Sequence, residues 1–484
     1  MPPSASRHVV VIGGGLAGLA AAEGLVRSAG IRVTLVEPTG RLGGVLATAR
    51  HDGWLVERSA DSFLAARPEG RELVERLGLA DQLIGIEPGV RRALVFHGGR
   101  TVPAPAGFRL LAPGRIDGIL TTPLLSAAGK LRVLAERFVR CRPTADNDDE
   151  PLEHFAVRRL GREAFDRLVQ PLVSGIWTAD PARLSMAAAC PDFFQMERRF
   201  GSLWAGERSR LRAVGGEQAA GARYGQFVTL SSGMQTLPDT LGGWLEREGV
   251  RFITATVTEL NRAGNDSGGW NVSCDRAPAL EADGIVMATP APVAANLLGG
   301  VDQPLAEALA GIDYAGSAVV SLGYARADVS HPLDAAGVVV PRSEGRRILA
   351  VSFSSSKFPG RAPAGHVLVR VFVGGALDPQ AALLDDERLV AIVRHELADV
   401  IGARAAPRLM QIDRWTRAMP QYHVGHVQRL DLIHGRLRAL PGLALAGAAY
   451  EGVGIPQVIA TGQQAAVHVT RALEARLPAR QEPA

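Results

Sequence analysis

Glycines near the start of the chain are spaced for phosphate chemistry. The run Gly13-Gly14-Gly15-Leu16-Ala17-Gly18 gives Gly13, Gly15 and Gly18 the GxGxxG spacing, and Glu37 lies nineteen residues past Gly18. Gly13 permits a tight turn, Gly15 lets backbone approach a pyrophosphate, and Gly18 lets a helix pack closely on a strand. Glu37 can accept hydrogen bonds from both ribose hydroxyls, which disfavours a 2′-phosphate there. Arg41-Leu42-Gly43-Gly44 adds a second glycine turn four residues past the acid. His423 and His426 have a spacing that suits a metal, but no carboxylate or third ligand accompanies them. A solvated or capping pair is expected there, and no metal site. Cys141, Cys190 and Cys274 lie far apart with no CxxC pair, which argues against a disulfide scaffold or zinc ribbon and fits a reducing cytosol.

These residues need particular elements to hold them. His8 to Ile12 (HVVVI) is a continuous β-branched run, as in a strand buried on both faces. A helix is expected from Leu16 to Ala29 with Gly30 ending it, then a second strand over Ile31 to Val36 that delivers Glu37. The helix N-terminus offers free N–H groups to phosphate. Strand, glycines, helix, strand and terminal acid in one unit read as dinucleotide binding rather than a structural turn. Further strands are expected over Val250–Ile253, Thr256–Leu260 and Gly284–Pro290. Residues 101–142 carry seven Lys/Arg against two acidic residues; an ordinary helical domain with a solvated basic face is favoured over an amphipathic surface that meets a membrane or an anionic substrate. Asp146 to Glu150 reads as an acidic loop or a helix N-terminal turn, where carboxylates suit the dipole.

The 484 residues suggest about three units, or two with insertions. Hydrophobic residues make up 47%, enough for a large core and too many for global disorder. Net charge is only +4 and aromatics are 5%, which sets nucleic acid aside. No uninterrupted apolar stretch reaches the roughly 20 residues of a spanning helix.

The extended pattern GxGxxG…E…GRxGG resembles the flavin amine oxidase and desaturase superfamily, where the Arg and the Gly pair meet the pyrophosphate and flavin. The resemblance implies FAD, held non-covalently through Gly13, Gly14, Gly15, Leu16, Ala17, Gly18, Glu37, Arg41, Gly43 and Gly44. Residues 7–64, Pro171–Pro181 and Ser352–Pro363 (SFSSSKFPGRAP) resemble more narrowly the protoporphyrinogen/coproporphyrinogen oxidase family, flavoenzymes that aromatise a porphyrinogen. In that family a Gly-Pro-Asp-Ser-Phe segment passes beside the flavin; here it is Ser59-Ala60-Asp61-Ser62-Phe63. The Pro171–Pro181 match places the Gly175 backbone carbonyl near the reacting methine carbon, with Ala179 where the family commonly has Gly. Val257 matches a contact on the adenine side. Tyr224 to Met234 looks like the return to the flavin domain. The run Leu445-Ala446-Gly447-Ala448…Gly452-Val453-Gly454-Ile455-Pro456 resembles the family's C-terminal FAD motif, with Ala448, Val453, Gly454 and Ile455 at the contacting positions. Val339, Leu349 and Phe372 fall where the family clamps its macrocycle between apolar side chains. Arg67, with Arg71 as the rival, falls where a cation would meet a propionate.

The resulting expectation is an α/β protein. A discontinuous Rossmann-like FAD-binding domain (1–95, 221–300 and 411–484) carries a mainly helical domain (96–205) and a mixed-sheet substrate-binding domain (301–410). The implied reaction takes porphyrinogen to porphyrin in heme biosynthesis, six electrons in three cycles, with O₂ as acceptor and H₂O₂ released. Protoporphyrinogen IX and coproporphyrinogen III stay open as substrates, and so do a homodimer and a peripheral membrane contact for a cytoplasmic protein. The alternatives are an amine oxidase, a carotenoid desaturase, or a catalytically idle protein that binds FAD or porphyrin.

Overall fold

The computed structural model describes residues 7–142, 149–213, 227–263 and 268–476. Residues 146–148 of the acidic run and 224–226 of the return segment lie outside the described residues.

Arg7–Ile12 is the middle strand of a five-stranded sheet ordered Arg251–Ile253, Ile31–Val36, Arg7–Ile12, Gly284–Met287, Leu443–Leu445. Every pairing in it is parallel. Val9 and Val11 face one core with Val33, Leu35 and Val286, while Val10 and Ile12 face another with Ile285 and Met287. Burial on both faces is why the strand sequence does not alternate.

Helices Leu16–Val26 and Ile455–Glu474 pack together over the first face. Their axes approach closely because Gly462 meets the Ala17 carbonyl where a Cβ would stand, and Gly24 faces the Ala466 methyl at 2.8 Å from its own Cβ position. The first helix stops at Val26, three residues short of the expected end, and residues 27–30 turn back into the sheet. An antiparallel sheet of Val257–Arg262, Trp270–Cys274 and Leu280–Ala282 packs on the second face.

A second, seven-stranded sheet runs Leu409–Pro420, Tyr314–Ala325, His366–Gly374, Ile348–Ser352, Gly337–Val339, Ala93–His97, Arg100–Pro103. It is mixed, since Gly337–Val339 pairs parallel with Ala93–His97 and the other pairs are antiparallel. Ala93–His97 straddles the expected 95/96 boundary, and Leu409–Pro420 straddles 410/411. Strand alternation sorts this sheet into two faces. Val320, Val371, Val351 and Val338 join Leu389, Val393 and Leu397 of helix Asp386–Val400 in one core. Val319, Ser321, Arg370, Phe372, Ala350 and Val339 point the other way.

The region between is mainly helical. Its longest run widens to π geometry over Phe165–Val169 before continuing as Gln170–Trp177. Pro171 lacks an N–H for the usual helical bond, and a π turn is one way to absorb that loss. Thr178 then closes the helix in the left-handed region, at φ 46°. On the outside, Phe138 is 75% exposed and Leu131 69%, with Ile116 and Leu120 about half exposed. The face expected to be merely basic therefore also presents large apolar side chains.

Candidate active site

Gly13 turns the chain out of its strand at φ +109°, and a Cβ there would stand 2.6 Å from the Ala288 carbonyl oxygen. A Cβ on Gly18 would collide with the Gly13 carbonyl, so strand and helix touch backbone to backbone. Gly15 differs: nothing lies within 4 Å of its Cβ position, and it caps helix Leu16–Val26 with no side chain on the N-terminal amides. The second glycine turn folds onto the first, because the Gly43 amide donates to the Gly14 carbonyl at 2.8 Å and Gly44 lies over Gly15. Arg41 is committed to shaping that turn, donating to the carbonyls of Leu42, Gly44 and Leu46 and to Gln235. Glu37 accepts from the Gly14 amide at 2.8 Å and from Thr39 at 2.7 Å, and it lines a cleft of about 520 Å³ with Leu35, Arg41, Leu42 and Phe252.

The C-terminal motif supplies a second uncapped helix start. Gly454 precedes Ile455–Glu474, again with no side-chain cap. Two helix N-termini with free amides, one opening onto space that a side chain would fill, suit a dinucleotide pyrophosphate in donor type and in room. Ile455 packs in the parallel-sheet core, while Val453 packs on the helical core with Val173, Trp177 and Val339. Val257 is buried against Ile12 and Val36. The helix starts at Ile455, two residues before the expected Gln457.

Ser59–Ser62 runs between these glycine turns and the mixed sheet. The Ser59 hydroxyl donates to the Val45 carbonyl beyond Gly44, and the Ser59 carbonyl accepts from Arg370. Asp61 pairs with Lys357 at 2.6 Å and Arg370 at 3.2 Å, and accepts from Ser62 at 2.9 Å. Arg370 is 1% exposed and Lys357 8%. Burial alone would push Asp61 up, but the ammonium and guanidinium outweigh it and hold the carboxyl well below the usual range. Glu57 nearby is pushed up by burial, against the Thr48 hydroxyl and the Arg361 charge 3.6 Å away. Lys357 and Arg370 did not figure as site residues in the sequence. The available signal was an Arg inside the strand HVLVRVFVG, where a buried cation must find a partner.

Gly175 lies in the last turn of Gln170–Trp177 and faces Val339, whose Cγ1 is 3.7 Å from the glycine's Cβ position. The turn that follows touches the mixed sheet: the Ala376 amide donates to Thr178 at 2.7 Å, and Gly375 sits against Thr178 and Leu349. Phe372 is paired in register with Ala350, which is paired with Val339. Gly175, Val339, Leu349 and Phe372 therefore belong to one neighbourhood, and Ala179 is buried behind it. Arg67 is exposed just ahead of helix Pro68–Arg76, and Arg71 pairs with Glu75 at 3.3 Å.

The two histidines behave differently from a solvated or capping pair. His426 is 2% exposed and stacks on Tyr422 with centroids 4.1 Å apart. Burial pushes it down to about 4. His423 lies 3.3 Å from Asp313, and no metal-holding cluster occurs among the described residues.

Residues 16–470 match the family described as flavin containing amine oxidoreductase. Coproporphyrinogen III oxidase of Bacillus subtilis (strain 168) is 34% identical over 466 residues, covering 95% of this chain and 97% of that protein. Protoporphyrinogen oxidase of Bos taurus is 33% identical over 488 residues, covering 96% and 98%. A crystal structure from Exiguobacterium sp. 255-15, assigned provisionally as a protoporphyrinogen oxidase, superposes with a TM-score of 0.83 at 29% identity, covering 97% of this chain and 99% of that one.

Proposed function

The chain belongs to the flavin containing amine oxidoreductase family and is an FAD-dependent oxidase, and from that premise we propose that its substrate is a porphyrinogen. The reaction converts porphyrinogen and three O₂ into porphyrin and three H₂O₂, as a step of heme biosynthesis. The observation that carries this reading is the apolar neighbourhood of Gly175, Val339, Leu349 and Phe372. A flat macrocycle needs flat apolar walls and few polar anchors.

Bound FAD supplies a two-electron acceptor that no side chain here can replace. The chain's part is to seat it and to orient the substrate. Gly13, Gly14 and Gly43, whose amides are already bonded within the turns, would hold the glycine turns close. The uncapped amides at the start of helix Leu16–Val26 and those at Gly44 and Gly454 would reach the pyrophosphate, with Glu37 on the ribose and Val257 on the adenine side. Ser59–Ser62, Ala448, Val453 and Ile455 would border the ring system. Gly175 is in the helix's last turn, where carbonyls lose their intrahelical partner, so its oxygen is available to a substrate N–H or methine. Arg67 would meet a propionate.

In this reading the parallel sheet is the core of a Rossmann-like FAD-binding domain assembled from 1–95, 221–300 and 411–484. The helical segment 96–205 and the mixed sheet of 301–410 cover the substrate. The exposed Ile116, Leu120, Leu131 and Phe138, with Lys130 and Arg137 among them, support a peripheral membrane contact.

The test is aerobic turnover of FAD-loaded protein with protoporphyrinogen IX and coproporphyrinogen III in parallel, reading porphyrin fluorescence and H₂O₂ against a no-enzyme control. Faster fluorescence with matching H₂O₂ on one substrate is expected. Rates no better than autoxidation with both would overturn the proposal.

A further inference from the structure

Tyr422 occupies a junction that the chemistry above leaves unexplained. Its hydroxyl donates to the Ala448 carbonyl at 2.6 Å and accepts from the Gly452 amide at 2.8 Å. One side-chain oxygen thus closes the turn that leads into the Gly454 helix start. Two neighbours fix the same turn: the Thr461 hydroxyl accepts from the Gly447 amide at 3.0 Å, and His426, stacked on the Tyr422 ring, bonds to the Tyr450 backbone.

The other side of Tyr422 faces the helix that carries Gly175. Its ring lies 5.1 Å from that of Trp177, two residues past Gly175, and its own carbonyl accepts from the Ser185 amide at 2.7 Å. The adjacent Gln421 amide nitrogen reaches the Trp177 carbonyl at 3.4 Å, and the Val424 amide donates to the Arg183 carbonyl at 2.9 Å. Segment 421–424 therefore bonds to residues 177–185 on one side and to the glycine turn 448–452 on the other. Tyr422 is 1% exposed, and burial keeps its hydroxyl protonated as a donor.

We infer that Tyr422 is a positioning residue that couples seating of the cofactor at turn 448–454 to placement of the helix end bearing Gly175. Its hydroxyl sets the turn, and its ring transmits the turn's position to Trp177. The inference rests on reading that turn as a flavin contact.

Two variants separate the halves of the junction. Tyr422→Phe removes the hydroxyl and keeps the ring; Trp177→Leu keeps the hydroxyl and removes the ring contact. FAD affinity is read from flavin fluorescence on deflavinated protein, the melting temperature of the deflavinated protein monitors folding, and hydrogen exchange with and without FAD follows segments 13–18, 171–185 and 447–455. Two bonds to one oxygen are worth about a tenfold rise in FAD Kd in Tyr422→Phe. The melting temperature of the deflavinated variant falls by a few degrees alongside, since the Ala448 carbonyl and Gly452 amide lose their buried partner whether or not FAD is bound. Trp177→Leu is expected to keep Kd within about threefold. In the wild type FAD slows exchange in 171–185, and both variants lose that effect. Wild-type protection of 171–185 in both variants, or an unchanged Kd in Tyr422→Phe, overturns the coupling. FAD-linked protection at 13–18 but not at 447–455 in the wild type overturns the reading of the turn itself, and the coupling with it.

Discussion

A methyl group added at Gly18 would strike the Gly13 carbonyl, whereas one added at Gly175 would meet only Val339 at an ordinary 3.7 Å. The two regions use glycine for opposite reasons. At Gly13, Gly18 and Gly44 backbone packs on backbone, so the absent side chain is a condition of folding. At Gly175 an added methyl would make only an ordinary contact, so the absent side chain is not a condition of packing. In the first region fold and function fail together; in the second they can be separated.

The largest expected effect tests that contrast at its rigid end. Gly18→Ala should cost about 3 kcal/mol or more, since neither backbone segment can yield. Purified protein should show little flavin absorbance at 450 nm relative to protein absorbance. Full flavin occupancy with an unchanged melting temperature would break the comparison.

Next comes the charged layer between the two regions. Asp61→Asn leaves Lys357 and Arg370 buried without their carboxylate, a loss of about 3–5 kcal/mol. Asp61→Leu combined with Arg370→Met and Lys357→Met should recover part of the melting temperature, because the unpaired charge is the costly element rather than the absent pair.

The third effect depends on pH. The unfolded His426 binds its proton below about 6.5, whereas burial delays this to about 4 in the folded chain. Between those values the unfolded state holds the extra proton, so stability falls as pH is lowered, by up to about 1.4 kcal/mol per pH unit. Denaturant unfolding of His426→Gln should lose that part of the slope relative to the wild type.

Smallest in stability is Gly175→Ala, expected within about 1 kcal/mol of the wild type and on the stabilising side for a helical position. Its kcat/KM for porphyrinogen should nonetheless fall on the order of tenfold to a hundredfold, since a methyl would intrude beside the carbonyl that the proposed site sets against the reacting carbon. Unchanged turnover would remove Gly175 from the proposed site.

The same contrast explains what was legible in the sequence. Gly13 to Gly18 and Glu37 stand out because one strand–turn–helix–strand unit contains the whole geometry, and local spacing encodes it. The mixed sheet hides more. Ala93–His97 pairs with Gly337–Val339 across more than two hundred residues, so a division at 95/96 could not foresee it. Lys357 sits inside the SFSSSKFPGRAP segment, but its partner Asp61 is 296 residues away. The His423–His426 spacing reads as a solvated or capping pair, because nothing local predicts that Tyr422 would cover His426 and bury it. Residues that act through their own backbone are visible in one dimension; residues that act through a distant partner are visible only after folding.

The packing of Leu16–Val26 against Ile455–Glu474 also has a consequence for synthesis. At roughly 5–20 residues per second, the partner of the first helix leaves the ribosome some tens of seconds after it. Nine of the eleven residues of that first helix are buried in the finished protein, so for most of translation they lack their final cover. The chain is an expected client of nascent-chain chaperones. Slower elongation early in the message should lower its soluble yield more than the same delay placed after residue 474.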